Sequence, residues 1–267
     1  MHGYYVQQRT ALARDPAVDS PGVDLGRLRL LAITQSLTQG TAAGRTAASL
    51  WLHEPLEAAV HVIVPPSCSP QRRPWLRTTR SQLAPDDVTV VEGIPITTPM
   101  RTAFDCARLL PLADAVAEVD ALLHAGVVDA GELRAYIAAQ GRRRGIAQAR
   151  RVAGLCDARA ESRMESRLRV LLILGGLPRP EVNVALYDAQ GRFLARVNLY
   201  WPHARLAVEY EGDHHRDQQQ FRADLARRDA LERAGYRVRH VTSRDVYRAP
   251  RALVAALRAD LQASAAA

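Results

Sequence analysis

The sequence predicts an α/β (α+β) chain in two parts: a mixed α/β front half and a back half ordered α-β-β-β-α-β-α. Three observations predict it. Segments with apolar residues at helical spacing alternate with segments of period two. A meander of three strands stands late in the chain, followed by one helix and one further strand. The charge divides near the same place. Residues 1–140 hold 12 Arg against 14 acids, a net of −2, and residues 141–267 hold 24 Arg against 14 acids, a net of +10.

The front half reads in order as follows. Arg27 to Leu37 carries Leu28, Leu31, Ile33 and Leu37 at helical spacing, and Thr41 to Leu52 is a second short helix rich in small residues. Ala59 to Val64 is a strand stopped by Pro65 and Pro66, because proline cannot donate to a ladder. Arg72 to Arg80 and Val88 to Val91 are further short strands around a loop. Thr98 and Pro99 mark a helix start, with Pro99 at the first helical position, running to about Leu110. Leu112 to Ala125 and Ala130 to Ala139 are two more helices joined by a turn near Gly126.

The run Gln140-Gly-Arg-Arg-Arg-Gly-Ile146 lies at the seam in composition. Such a run is most often a solvated loop or helix end; the sharper alternative is a clamp on phosphates. The domain boundary falls between about 140 and 160, giving units 1–150 and 151–267.

In the back half Glu161 to Leu174 is helical and ends at Gly175-Gly176. Val182 to Tyr187, Phe193 to Trp201 and Arg205 to Tyr210 are strands, with Asp188-Ala-Gln-Gly191 turning the chain. Phe221 to Ala234 is helical, Tyr236 to Thr242 is a strand, and Pro250 to Leu261 is the last helix.

No apolar run reaches the roughly 20 residues that span a bilayer, and the first residues lack a basic stretch followed by an apolar one. Cys68, Cys106 and Cys156 are widely separated and fit reduced thiols better than disulfides or a zinc site. A cytoplasmic, membrane-free protein is the expectation. The chain has no lysine, so a mechanism needing an ammonium group is excluded.

The chemistry concentrates in Leu206-Ala-Val-Glu-Tyr-Glu-Gly212. Glu209 and Glu211 are two apart on a strand and project from one face. Like charges that close repel unless a cation lies between them, which makes a divalent metal a natural occupant. Two solvated glutamates on an exposed strand are the bland alternative. His214 and His215 follow at once, and paired imidazoles can move protons or polarise a phosphate, although adjacent histidines in a loop are often incidental.

Several motifs carry a resemblance: Glu165-Ser-Arg-Leu-Arg169, Gly176-Leu-Pro-Arg-Pro180, Arg196-Val-Asn-Leu199, Trp201-Pro202, the segment around Glu209 and Glu211, His215-Arg216, Arg228-Asp229 and Gly235-Tyr236. Together they resemble a bacterial domain family of unknown function related to very-short-patch-repair endonucleases, and so to the PD-(D/E)xK nucleases. The resemblance covers about 100 residues and implies a restriction-endonuclease-like fold. It further implies a site of Glu165, Asn198, Glu209 and Glu211, with Asn198, Glu209 and Glu211 around Mg2+ or Mn2+, and His214 and His215 as proton-transfer groups. The arginines expected to meet DNA are Arg142, Arg143, Arg144, Arg196, Arg216, Arg227 and Arg228. Asn198 departs from the family's usual aspartate. It keeps the shape and one carbonyl oxygen but removes a charge on which metal affinity depends.

The front half is similar to AbiEi, the antitoxin and transcriptional regulator of type IV toxin–antitoxin systems. The similarity runs from about Gly3 through Arg45-Thr-Ala-Ala-Ser49 and Val60-His-Val62 to Ile94-Pro-Ile-Thr-Thr-Pro-Met-Arg-Thr102 with Asp105. Met1-His-Gly-Tyr-Tyr-Val6 resembles the last wing strand of that family's winged helix, without the recognition helix before it. Either the start is placed late or the sequence reader is lost. The expectation is a DNA-interacting protein with an endonuclease-like domain, a candidate for metal-dependent phosphodiester hydrolysis or nicking with a site altered at Asn198. The alternatives are a non-catalytic DNA-binding regulator or antitoxin, and a protein that binds an acidic, toxin-like partner.

Overall fold

The computed structural model describes residues 24–36, 40–70, 72–212 and 227–263. The chain is a mixed α/β protein, with two sheets among the described residues. The first has the order β3-β2-β1-β5-β4, built from β1 (Thr41–Ala42), β2 (Val60–Val64), β3 (Leu76–Arg80), β4 (Val88–Val91) and β5 (Ile94–Thr97). Only two residues long, β1 nevertheless stands in the middle. It is antiparallel to β2 through Thr41↔Ile63 and parallel to β5 through Ala42↔Ile96.

The helices of this half are α1 (Leu25–Ser36), α2 (Gly44–Trp51), α3 (Pro99–Leu109), α4 (Leu112–His124), α5 (Ala130–Ala139) and α6 (Ile146–Leu155). Leu30, Ile33, Val60, Val62, Val64, Ile94 and Ile96 fill the core of the sheet. A second core joins α3, α4, α5 and α6 through Phe104, Val116, Leu122, Ile137 and Val152. Small buried side chains (Ala48, Ala103 and Ala107) let α2 and α3 approach closely, as their sequence suggests. Two expectations need correction here. The helix expected from Thr41 starts at Gly44, because Thr41 and Ala42 are spent on the ladder. The seam between the halves holds the helix α6, which the charged run before it obscured.

The second sheet has the order β6-β7-β8-β9, from β6 (Glu181–Tyr187), β7 (Phe193–Trp201), β8 (Leu206–Glu211) and β9 (Arg237–Thr242). The first three strands are an antiparallel meander, and β9 returns parallel to β8. Parallel return requires a crossover, and the described part of α8 (residues 227–233) lies in it. On one face α7 (Arg163–Leu174), α9 (Ser243–Arg248) and α10 (Pro250–Ala263) bury Leu168, Leu172, Trp201, Val208, Val241 and Leu257. On the other face Leu231 of α8 covers Leu186, Val197 and Ala207. The order is the expected helix, three strands, helix, strand and helix, with α9 added before the last helix.

One irregularity bears on the site. Val182 and Leu199 belong to the core under α7 and α10, whereas Val184 and Val197 belong to the core under α8. Period two would keep each pair on one face. Both strands therefore change face between these rungs, at Asn183 and Asn198, and Asn183 takes a positive φ of 50°. Asparagine tolerates that left-handed conformation better than most residues.

The halves meet along α7. Val170 is part of the front helical core, while Leu168 and Leu172 belong to the core of the second sheet. No described helix is long and apolar enough to cross a membrane. All three cysteines are free, and burial pushes the Cys106 and Cys156 thiols well above their ordinary range.

Candidate functional site

Glu209 lies on β8 with its neighbour across the parallel ladder, His240 of β9. The residue is 8% exposed, and an ionised carboxylate so deeply buried needs a compensating cation. Arg227, in the first described turn of α8, supplies it, donating from Nη2 to Glu209 Oε2 at 2.6 Å. His240 Nδ1 stands 2.6 Å from Glu211 Oε1 and 3.8 Å from Glu209 Oε2. The structure thus brings Glu209 and Glu211 together on one face, as their spacing requires, and adds Arg227 and His240 to them.

The other two acid-site positions have different partners. Asn198 accepts the backbone N–H of Tyr210 through Oδ1 at 2.7 Å, just where the regular β7–β8 rungs stop at Leu199↔Val208. Glu165 is a capping residue. Ser162 Oγ accepts its N–H at 3.1 Å, and its carboxylate accepts from the Ser162 hydroxyl at 3.0 Å, the Glu161 N–H at 3.1 Å and Asn183 Nδ2 at 2.9 Å. His214, His215 and Arg216 lie outside the described residues.

Among the described residues, this donor set as it stands is a poor match to a hard divalent cation. Mg2+ wants about six oxygens in tight octahedral array, bound without competition. Here a Glu209 oxygen is taken by a guanidinium, a Glu211 oxygen by an imidazole and the Asn198 oxygen by an amide. Among the described residues no group of three or more His, Cys, Asp or Glu is gathered for a metal ion.

The expected DNA-contacting arginines divide in two. Arg196 pairs with Glu161 at 2.6 Å, Arg227 with Glu209, and Arg228 with Glu232 at 2.9 Å. Arg142, Arg143 and Arg144 are all exposed on the loop between α5 and α6. That loop is held at both ends by glycines in the left-handed region, Gly141 at φ 58° and Gly145 at φ 81°. It is tied down further by Arg108, whose Nη1 donates to Arg144 O at 3.4 Å.

Sequence reasoning missed His240, which reaches Glu209 only through the parallel β8–β9 register. It also missed Arg237 and Arg239, which line an open cleft with Arg228, His240 and Asp260 at the β9 edge of the sheet. Arg239 is paired to Asp260 at 2.6 Å. The spacing of Ser162 and Glu165 carries the signal that identifies Glu165 as a cap, since Ser-x-x-Glu before an apolar run marks a helix start.

Comparison with known proteins adds the following. Residues 34–155 match the family described as the AbiEi antitoxin C-terminal domain. Two curated proteins of Mycobacterium tuberculosis are similar over most of their length. They are "Uncharacterized protein MT2308" (strain CDC 1551 / Oshkosh) and "Uncharacterized protein Rv2248" (strain ATCC 25618 / H37Rv). Each is 32% identical over 232 residues, covering 86% of this chain and 84% of the relative. No solved structure matches the chain significantly.

Proposed function

The chain belongs to the family of these two mycobacterial proteins, and from its antitoxin-domain match we propose that it is a non-catalytic regulator of the antitoxin type. In this reading the basic back half contacts DNA and the front half meets a toxin-like protein partner. The observation that carries it is the match to the AbiEi antitoxin C-terminal domain, whose span takes in all five strands of the first sheet and helices α2 to α6. The net of +10 on residues 141–267 supports a polyanionic ligand. The exposed Arg142–Arg144 loop supports a phosphate contact there. Carboxylates tied up by Arg227 and His240 support a domain that binds without cutting.

Titration of the full chain onto labelled duplex DNA at rising salt tests the DNA contact. Affinity should fall steeply with salt, and replacing Arg142, Arg143 and Arg144 by Gln should lower the log–log slope by roughly one for each phosphate no longer neutralised. Binding that is absent at low salt, or indifferent to salt, overturns it.

The side-by-side placement of Glu209 and Glu211 favours a second reading, metal-dependent phosphodiester hydrolysis. Mg2+ or Mn2+ would then have to displace Arg227 and His240 from the carboxylates. Incubation with supercoiled plasmid separates the readings. Nicking by the wild type that Glu209→Ala abolishes supports hydrolysis; no nicking by the wild type or by Asn198→Asp removes it.

A further inference from the structure

The β6–β7 hairpin ends in two aromatic rings that the core does not use. Tyr187 is 49% exposed and Phe193 is 60% exposed. They are paired across the ladder, ring centroids 6.0 Å apart at 74°, beside a register shift at Leu186/Tyr187. Single exposed apolar side chains are ordinary, but two large rings in contact at a protruding tip form a patch.

The tip is built to hold its shape. Asp188 accepts from the N–H groups of Gln190 and Arg192, each at 2.9 Å, and from Arg192 Nε at 2.7 Å. The Arg192 N–H holds the Asp188 carboxyl below the usual carboxylate range. Gly191 supplies the φ of 77° that the turn needs. From below, the Tyr236 hydroxyl donates to Tyr187 O at 3.0 Å. Tyr236 is itself fixed by the Arg205 guanidinium, 4.2 Å from its ring centroid, and by Tyr200 at 6.1 Å. The rings are flanked by cations. Arg192, 78% exposed on its side chain and paired with Asp188, is their neighbour in the turn, and Arg196, 51% exposed and paired with Glu161, stands opposite Ala185 two rungs inward.

We propose that this hairpin is a stacking contact for unpaired nucleic-acid bases, with Tyr187 and Phe193 meeting base faces and Arg192 and Arg196 the flanking phosphates. Aromatic rings interleaved with arginine suit bases in particular. Every base offers a π-face, every linkage offers an anion, and a rigid ring loses little freedom on stacking. An acidic protein would satisfy the arginines but leave the rings without matched partners. The proposal rests on the reading of the back half as nucleic-acid-contacting and names the structure it prefers, a single-stranded or opened segment over intact duplex.

The test compares wild type, the double variant Tyr187→Ala/Phe193→Ala and the conservative Tyr187→Phe. Each is titrated onto a 20-nucleotide single strand carrying 2-aminopurine and onto a duplex of the same length. Wild type should quench the probe by stacking. The double variant should lose about tenfold or more in single-strand affinity, with quenching abolished, at most a twofold change on duplex and an unchanged melting temperature. Tyr187→Phe keeps the ring and should bind within about twofold of wild type. A double variant that binds and quenches single strands like wild type overturns the hairpin contact and leaves the duplex reading standing. A double variant that loses duplex and single strand equally also overturns the preference. No binding to either by wild type removes both readings.

Discussion

Arg163 forks onto Glu54, its two terminal nitrogens each 2.7 Å from a separate carboxylate oxygen across 109 residues of chain. The same guanidinium reaches Glu118 of α4, which Arg45 of α2 also contacts at 3.1 Å. Burial works against the charge on Arg163, but the bonds to Glu54 and Glu118 outweigh it and hold its pKa above the ordinary value. Two further contacts from α7 extend the seam: Arg167 to Asp114 at 2.9 Å and Arg169 to Asp120 at 2.5 Å.

Arg163→Ala should therefore destabilise the chain by roughly 1–2 kcal/mol. The half-exposed Glu54 arm contributes little of this, and the buried Glu118 loses a charged partner. The melting temperature should fall by a few degrees. Arg163→Lys keeps the charge but not the fork and should recover only part of the loss. Calorimetry of the wild type should show one cooperative transition. Two well-separated transitions would contradict a seam of this kind.

Asn198→Asp should be tolerated, with a change in stability below about 1 kcal/mol, because a carboxylate can accept the Tyr210 N–H as the amide does. Asn198→Leu removes that acceptor at a partly buried rung and should cost roughly 1–3 kcal/mol. Denaturant titration of the pair distinguishes a ladder-completing role from a purely electrostatic one. If Asp proved the more damaging change, repulsion from Glu209 would outweigh the hydrogen bond.

Gly145 is set by two constraints at once. Its φ is 81°, and a Cβ there would lie 2.4 Å from Arg108 O. Gly141, at the other end of the arginine loop, has φ 58° but open space around it. Gly141→Ala should cost about 1 kcal/mol from conformation alone. Gly145→Ala should cost more, about 2–3 kcal/mol, because the loop must also move away from Arg108. Equal melting temperatures for the two variants would refute the close approach.

His61 gives a pH dependence with a definite sign. Burial lowers its pKa below the ordinary 6.5, against the pull of Asp105 and with help from Arg77 and Arg108. Its Nε2 lies 2.9 Å from Thr79 Oγ1, and its backbone N–H donates to Thr46 Oγ1 at 2.9 Å. Below 6.5 the unfolded chain takes up a proton that the folded chain resists, so stability present above that pH is lost as pH falls. Denaturation midpoints should decline as the pH falls through and below 6.5, and His61→Gln should flatten the decline. An unchanged slope in the variant assigns it to other groups.

The back half is legible in the sequence almost strand by strand, because its alternation is strong and its turns carry Gly and Pro. The bounds of β7, Phe193–Trp201, follow from the pattern to the residue. The front sheet is less so, for physical reasons. Two residues of β1 cannot show a period. β5 contains Pro95, which reads as a breaker, yet Pro95 pairs with Val90 on one side while β1 on the other meets only Ile96. Of the site, the shared face of Glu209 and Glu211 follows from spacing two. Their partners do not: His240 arrives by a parallel register and Arg227 by a crossover, and neither is encoded within a local window. The capping contact of Glu165 with Ser162 is signalled by their spacing, but its bond from Asn183 is not, because no composition rule reveals the φ of that residue.

Helix α7 belongs to both cores, with Val170 facing forward, Leu168 and Leu172 facing the second sheet, and a row of cations set against Glu54, Asp114, Glu118 and Asp120. Such a shared beam restricts how the halves can be inherited. Grafting this back half onto a foreign front half would carry across one side of a lock whose other side is written more than forty residues earlier. Recombination between relatives should therefore succeed where both sides travel together, and chimaeras joined near residue 150 should fail unless the acids on α4 are transplanted as well.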